Sequence, residues 1–227
     1  MTSAPSAPPH IWRRLAWVGV YVVAMGLLEA ICVIYLRRLL PDLGAGAPLD
    51  VVTVERLRIE VIREACTMVM LVAVAWLGGV NLRSRLACFF YAFGLWDIVY
   101  YAGLWWLAHW PGSWLEWDCL FLIPKPWYGP VLAPVLISAY FAIVCVLLHV
   151  WEVRRTPIKL SIETVTPQVL AGVVWYWSFV KDADQIGMHG YANIRYSWGL
   201  FAVGAGIACA GLWLAGRRNG ARSPLDG

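Results

Sequence analysis

The chain has 227 residues, of which 61% are hydrophobic and 14% charged, with 15 Trp, whereas soluble domains average about 45–50% apolar residues. That balance excludes an ordinary soluble domain and predicts an all-α polytopic membrane protein embedded in the lipid bilayer. The excess of 18 Lys plus Arg over 14 Asp plus Glu is small and spread over the connecting segments, so nothing predicts a nucleic-acid partner.

Residues 1–10, rich in Pro, Ser and Ala, read as a disordered N-terminus, followed by a single transmembrane domain over 11–216 and a disordered tail over 217–227. Arg13 and Arg14 precede an apolar run that resembles a signal peptide. The run continues past Glu29 to Leu36, long enough to span, and no cleavage site follows it, so it is expected to stay as a helix. Apolar length and flanking breakers place six spans at about 15–36, 62–80, 86–108, 131–150, 167–181 and 197–215. The fifth is short for the hydrocarbon layer and is expected to be re-entrant or surrounded by protein. Before the second span, Arg56, Arg58 and Arg63 alternate with Glu55, Glu60 and Glu64, which predicts a helical extension.

Between the third and fourth spans, Ser113 and Glu116 have the spacing of a capping box. A short interfacial or re-entrant helix at about 113–123 follows, ended by Pro124, with Pro126 and Pro130 stiffening the link onward. Its Trp and Tyr content suits a membrane interface. In the last span Ala202, Gly206 and Ala210 form a small-residue stripe, suited to an internal helix contact, a homodimer or a membrane partner. Short Arg-Arg and Gly-Leu-Trp matches between the halves are weak signs of an inverted repeat.

With the N-terminus inside, inner segments carry ten basic residues (Arg13, Arg14, Arg83, Arg85, Arg154, Arg155, Lys159, Arg217, Arg218 and Arg222) against eight in outer loops. Positive-inside counting thus predicts both termini in the cytoplasm of a cell whose inner (plasma) membrane holds the protein.

In this arrangement the polar residues gather in the outer half of the bundle. Asp97 lies near mid-membrane in the third span, where ionisation is costly. Tyr100 and Tyr101 flank it at helical spacing and are its expected partners. Glu29 lies about 10 Å from the outer end of the first span. Arg63 is the expected counter-charge for Glu29 or Glu64, and Glu116 and Asp118 occupy the outer connection. Asp182, Asp184, His189 and Arg195 lie in the last outer loop. Glu29, Arg63, Glu64, Asp97, Tyr100, Tyr101, Glu116 and Asp118 are therefore the candidate substrate- or ion-binding residues; the alternative is a satisfied buried network that fixes helix register.

No motif implies a cofactor. Six cysteines stand singly at 32, 66, 88, 119, 145 and 209, without the spacing of a zinc site or redox pair. Glu29, Glu64, Asp97 and His109 have the types of a metal set, but no motif fixes their geometry. His109 and His149 fall at opposite membrane faces, too far apart for one haem. No nucleophile shares a motif with a base.

Phe93-Gly-Leu-Trp-Asp97-Ile-Val-Tyr-Tyr101 and Trp114-Leu-Glu-Trp-Asp118-Cys-Leu-Phe-Leu-Ile-Pro-Lys-Pro-Trp-Tyr-Gly-Pro130, with Glu29 and Arg63-Glu64-Ala, resemble a family of uncharacterised bacterial multi-span membrane proteins. The resemblance covers most of residues 25–137 and implies a helical membrane protein without supplying an activity. The Lys-Pro-Trp stretch is similar to Trp-rich sensory proteins of the translocator type, but the rest of that pattern is absent. Three functions fit: a small transporter or permease-like protein whose carboxylates bind a proton, cation or cationic solute; an intramembrane enzyme acting on a lipid or isoprenoid, with Asp97 or Glu29 as acid/base; and a non-catalytic accessory subunit of a membrane complex.

Overall fold

The computed structural model describes residues 10–39, 54–153, 161–191 and 194–220. Among them the chain runs α1 (His10–Leu39), α2 (Val54–Gly78), α3 (Leu82–Ala108), β1 (Trp117–Phe121), β2 (Trp127–Pro130), α4 (Leu132–Val153), α5 (Ile162–Val180), α6 (Ala183–His189) and α7 (Trp198–Gly220). The helices overlie the expected spans, and α2 begins at Val54, so the charged extension is helical. His10 already belongs to α1 and α7 runs to Gly220, so helix reaches further at both ends than expected. The rest of the expected disordered ends, residues 1–9 and 221–227, lie outside the described residues, as do Arg154, Arg155, Lys159 and Arg222 from the orientation count.

Among the described residues four helices, rather than six, are long and apolar enough to cross a membrane: Trp12–Arg38, Arg58–Gly78, Leu82–Ala108 and Trp198–Arg217. Over the described residues α4 contributes a shorter apolar run, Leu132–Leu148. Helix α5 has only 19 residues and carries Glu163, Pro167 and Gln168 in its first two turns. Large apolar side chains face outward all along the four long helices, among them Trp17, Leu28, Val69, Trp76, Val203 and Trp213. In water such faces would be costly; in lipid they cost nothing. The protein is thus a helical membrane protein.

Packing divides the helices into two groups. Helix α3 is the centre of the first, contacting α1, α2 and α4, while α5 pairs with α7. Small residues set how closely these helices approach. A Cβ added to Gly94 would overlap the Ser138 backbone carbonyl, so the glycine lets α3 lie against α4. On α7, Gly204 receives the Trp175 indole and Gly211 receives the Pro167 ring. The face that packs on α5 is therefore Phe201, Gly204, Ala208, Gly211 and Ala215, and the expected stripe of Ala202, Gly206 and Ala210 points away from the bundle.

The expected helix at 113–123 is instead an antiparallel hairpin, pairing Trp117 with Pro130, Asp118 with Gly129 and Cys119 with Tyr128. The strands are built from aromatic and bulky residues that prefer extended backbone, and Pro124 and Pro126 leave only a short link between them. Ser113 and Glu116 form a turn, with Glu116 N–H donating to Ser113 O at 3.0 Å. The Glu116 carboxylate accepts from Gly112 N–H and Trp110 Nε1, each at 2.7 Å, so it ties the turn without starting a helix. Val131 N–H and Leu132 N–H donate to Glu116 O and Trp114 O, both at 2.9 Å. The backbone is thus satisfied by pairing, as an apolar setting demands.

Candidate functional site

Each buried carboxylate meets a different partner. Glu29 on α1 accepts from the Arg63 guanidinium and the Thr67 hydroxyl of α2. Arg63 also donates to both oxygens of Glu60, three residues back on its own helix. Arg63 is thus the counter-charge of Glu29 and Glu60, and the alternative pairing with Glu64 is not formed. Glu64, one residue further around α2, turns toward the hairpin and accepts Leu122 N–H with both oxygens, at 3.1 and 2.9 Å. That hydrogen bond satisfies the first backbone N–H beyond β1, a group the ladder leaves over.

Asp118 on β1 accepts from Arg37 Nη2 at 3.3 Å and from the Tyr101 hydroxyl at 3.1 Å. Arg37 comes from the last turn of α1 and stacks its guanidinium 4.0 Å from the Trp110 ring. Burial raises the Asp118 carboxyl to about 6, outweighing Arg37 and Tyr101, which pull it down. The expected donation from Tyr100 or Tyr101 to Asp97 is therefore corrected: Tyr101 serves Asp118, and Tyr100 stacks its ring on Trp96 with centroids 6.0 Å apart. The helical spacing was right, but the hairpin brings a second carboxylate nearer the Tyr101 hydroxyl.

Asp97 accepts from the Ser138 hydroxyl of α4 at 2.8 Å. It is 5% exposed, and among the described residues no Arg, Lys or His pairs with it. It borders a cavity of about 240 Å³ between α3, α4, α5 and the hairpin. Helix α3 supplies Phe89, Phe90 and Phe93 beside Asp97; α4 supplies Ile137, Ser138 and Phe141. Trp175, Tyr176 and Phe179 of α5 form the opposite wall, and Phe121 and Trp127 of the hairpin close the end. The Trp127 and Phe179 rings stack with centroids 6.3 Å apart. Toward the far end of the α4–α5 seam the Tyr140 hydroxyl donates to Gln168 Oε1 at 2.7 Å, and Gln168 Nε2 donates to Ala208 O at 3.1 Å.

The candidate residues are therefore not one site. Asp97 lines the cavity; Glu29, Arg63, Glu64, Asp118 and Tyr101 fasten helices and hairpin to one another, and Glu116 ties the loop. Glu29, Glu64, Asp97 and His109 do not converge, and among the described residues no three His, Cys, Asp or Glu side chains lie close enough to hold a metal ion. His109 is the left-handed cap of α3, with φ 53° and its N–H donating to Trp105 O at 3.0 Å. Of the last outer loop, Asp182 pairs with Lys181, away from the cavity lining.

Sequence reasoning missed Ser138, Thr67, Glu60 and Arg37 as partners. Ser138 had a signal: it is a hydroxyl within Val135-Leu-Ile-Ser-Ala139, deep in an apolar helix. Arg37 had none, because 81 residues separate it from Asp118. Comparison with protein-family models, curated proteins and solved structures finds no match for the chain.

Proposed function

We propose that the protein is a small permease-like carrier whose cavity binds a small organic cation, with Asp97 as its counter-charge. A single observation carries this reading: a buried carboxylate without a basic partner among the described residues borders a cavity walled by aromatic rings. Ring faces attract cations, most strongly where water is excluded, and the carboxylate gains from a positive charge that offsets its desolvation. A cavity of 150 Å³ takes benzene, so 240 Å³ suits a ligand of about ten non-hydrogen atoms. Glu29 and Asp118 already have Arg63 and Arg37, and Glu64 is held by Leu122 N–H, so of the candidate carboxylates Asp97 alone is left to meet a bound cation.

We place α4 and α5 inside the bilayer as well, on the cavity that they line together with α3. We place both termini in the cytoplasm of a bacterial inner membrane, on the distribution of basic residues. The outward stripe of Ala202, Gly206 and Ala210 favours a second copy or a membrane partner against α7.

The test compares phenyltrimethylammonium with its neutral isostere tert-butylbenzene, each of about ten non-hydrogen atoms, on purified wild type and Asp97→Asn. Tighter binding of the cation by wild type, lost at least tenfold in Asp97→Asn, together with Asp97-dependent uptake of phenyltrimethylammonium into proteoliposomes, is the expected result. Equal binding of both compounds, unchanged by Asp97→Asn, refutes it. Turnover of membrane lipid would favour the intramembrane enzyme; a stable partner complex with full tolerance of Asp97→Asn would favour the accessory subunit.

A further inference from the structure

The cavity is closed toward the hairpin and open toward the flank of the bundle. Hairpin closure is fastened twice, by Glu64 on Leu122 N–H and by Arg37 on Asp118, and Phe121 and Trp127 fill the space beneath. On the flank the lining includes two exposed residues, Phe90 of α3 and Gly172 of α5. A Cβ at Gly172 would meet nothing within 4 Å. Helices α3 and α5 belong to different packing groups and face each other across the cavity without extensive contact. The side chains around this opening are apolar, and α3 is one of the helices long and apolar enough to span, so the opening faces acyl chains.

Resting on the reading of Asp97 as a cation site, we infer that the ligand is a single-chain amphiphile with a quaternary or primary ammonium head, which enters from the bilayer between Phe90 and Gly172. The head occupies the cavity beside Asp97 and the chain leaves through the opening into lipid. Charge complementarity selects the head, and the opening removes any limit on chain length. A cavity sealed from lipid would instead reject any cation larger than its own volume, about ten non-hydrogen atoms.

The experiment measures binding of radiolabelled tetraethylammonium and hexadecyltrimethylammonium to wild type, Asp97→Asn, Gly172→Trp and Gly206→Trp in phosphatidylcholine nanodiscs. Amphiphile concentration is expressed as mole fraction in the bilayer. Gly206 is an exposed glycine on α7, also without a neighbour within 4 Å, and serves as the control. The expected result is that wild type binds both cations and Asp97→Asn loses both at least tenfold. Gly172→Trp should lose hexadecyltrimethylammonium at least tenfold more than tetraethylammonium, and Gly206→Trp should lose neither. Binding of tetraethylammonium with exclusion of the long chain overturns the lateral entry and leaves the cation site standing. Equal losses of both cations in Gly172→Trp also overturn it. Failure of both cations to bind in an Asp97-dependent manner removes the cation site and this inference together. If Gly172→Trp does not fold, Gly172→Val replaces it, and the chain-length comparison in wild type decides alone.

Discussion

Gly94→Ala should damage both the packing and the site, although it adds one methyl group. The new Cβ would overlap the Ser138 carbonyl oxygen, and α3 and α4 would have to part by about 1 Å to restore ordinary van der Waals separation. Ser138 carries both the overlapped carbonyl and the hydroxyl that donates to Asp97 at 2.8 Å. Parting the helices stretches that bond toward about 3.8 Å, beyond hydrogen-bonding range. Overpacking of this kind costs about 1–3 kcal/mol, and a buried hydrogen bond to a carboxylate adds about 1.5–3 kcal/mol. Gly172→Ala is the matched control, because its methyl enters open space and replaces a helical glycine, worth about 0.5–1 kcal/mol in favour of the variant. The assay is thermal unfolding of the two variants in the same detergent, followed by phenyltrimethylammonium binding. Gly94→Ala should melt lower than wild type and bind more weakly, with Gly172→Ala at or above wild type in stability. Equal stability of the two variants would refute the close contact of α3 with α4.

Removing Arg63 should be worse than removing the whole pair. Arg63→Met leaves Glu29 buried without its cation, a loss of about 3–5 kcal/mol, while Arg63→Met with Glu29→Gln should recover most of it in a thermal-unfolding cycle. If the double variant is no more stable than Arg63→Met, the pairing is not what holds α1 to α2. Asp118 should make stability depend on pH. Its carboxyl is raised by burial to about 6, so the folded protein holds the proton more tightly than the unfolded chain. The contribution is full below the unfolded value of 3.8 and is lost as pH rises through about 6. Melting temperature should therefore fall between about pH 4 and 6, and Asp118→Asn should flatten that fall; an unchanged slope refutes the assignment. Glu64→Ala should release the hairpin. Loss of a charge-assisted bond of about 1.5–3 kcal/mol predicts about 10- to 100-fold faster amide exchange at Leu122 by mass spectrometry, and unchanged exchange would show that another group holds the strand end.

Apolar length and periodicity are local properties, and they located the six long helices of the described residues, of which four are long and apolar enough to span. The partition of α7 into faces was legible in part: the small residues were visible, but Gly204 and Gly211 meet α5 while the stripe of Ala202, Gly206 and Ala210 does not, because a helix of small residues carries more than one candidate seam. The hairpin was misread because Ser113 and Glu116 satisfy a helix-start pattern within four residues, whereas β pairing depends on Trp117 finding Pro130 across a turn. Composition likewise identified the expensive groups, Glu29, Glu64, Asp97 and Asp118, since a carboxylate in an apolar run stands out wherever the helix is placed. Their partners lie 34 to 81 residues away for Glu29, Asp97, Glu64 and the Arg37–Asp118 pair, and no local pattern encodes such distances. Which carboxylate is fastened and which borders open space follows from how α3, α4, α5 and the hairpin enclose the cavity. That enclosure is a property of packed surfaces, set by where the backbones come close, as at Gly94, and where they stay apart, as at Gly172.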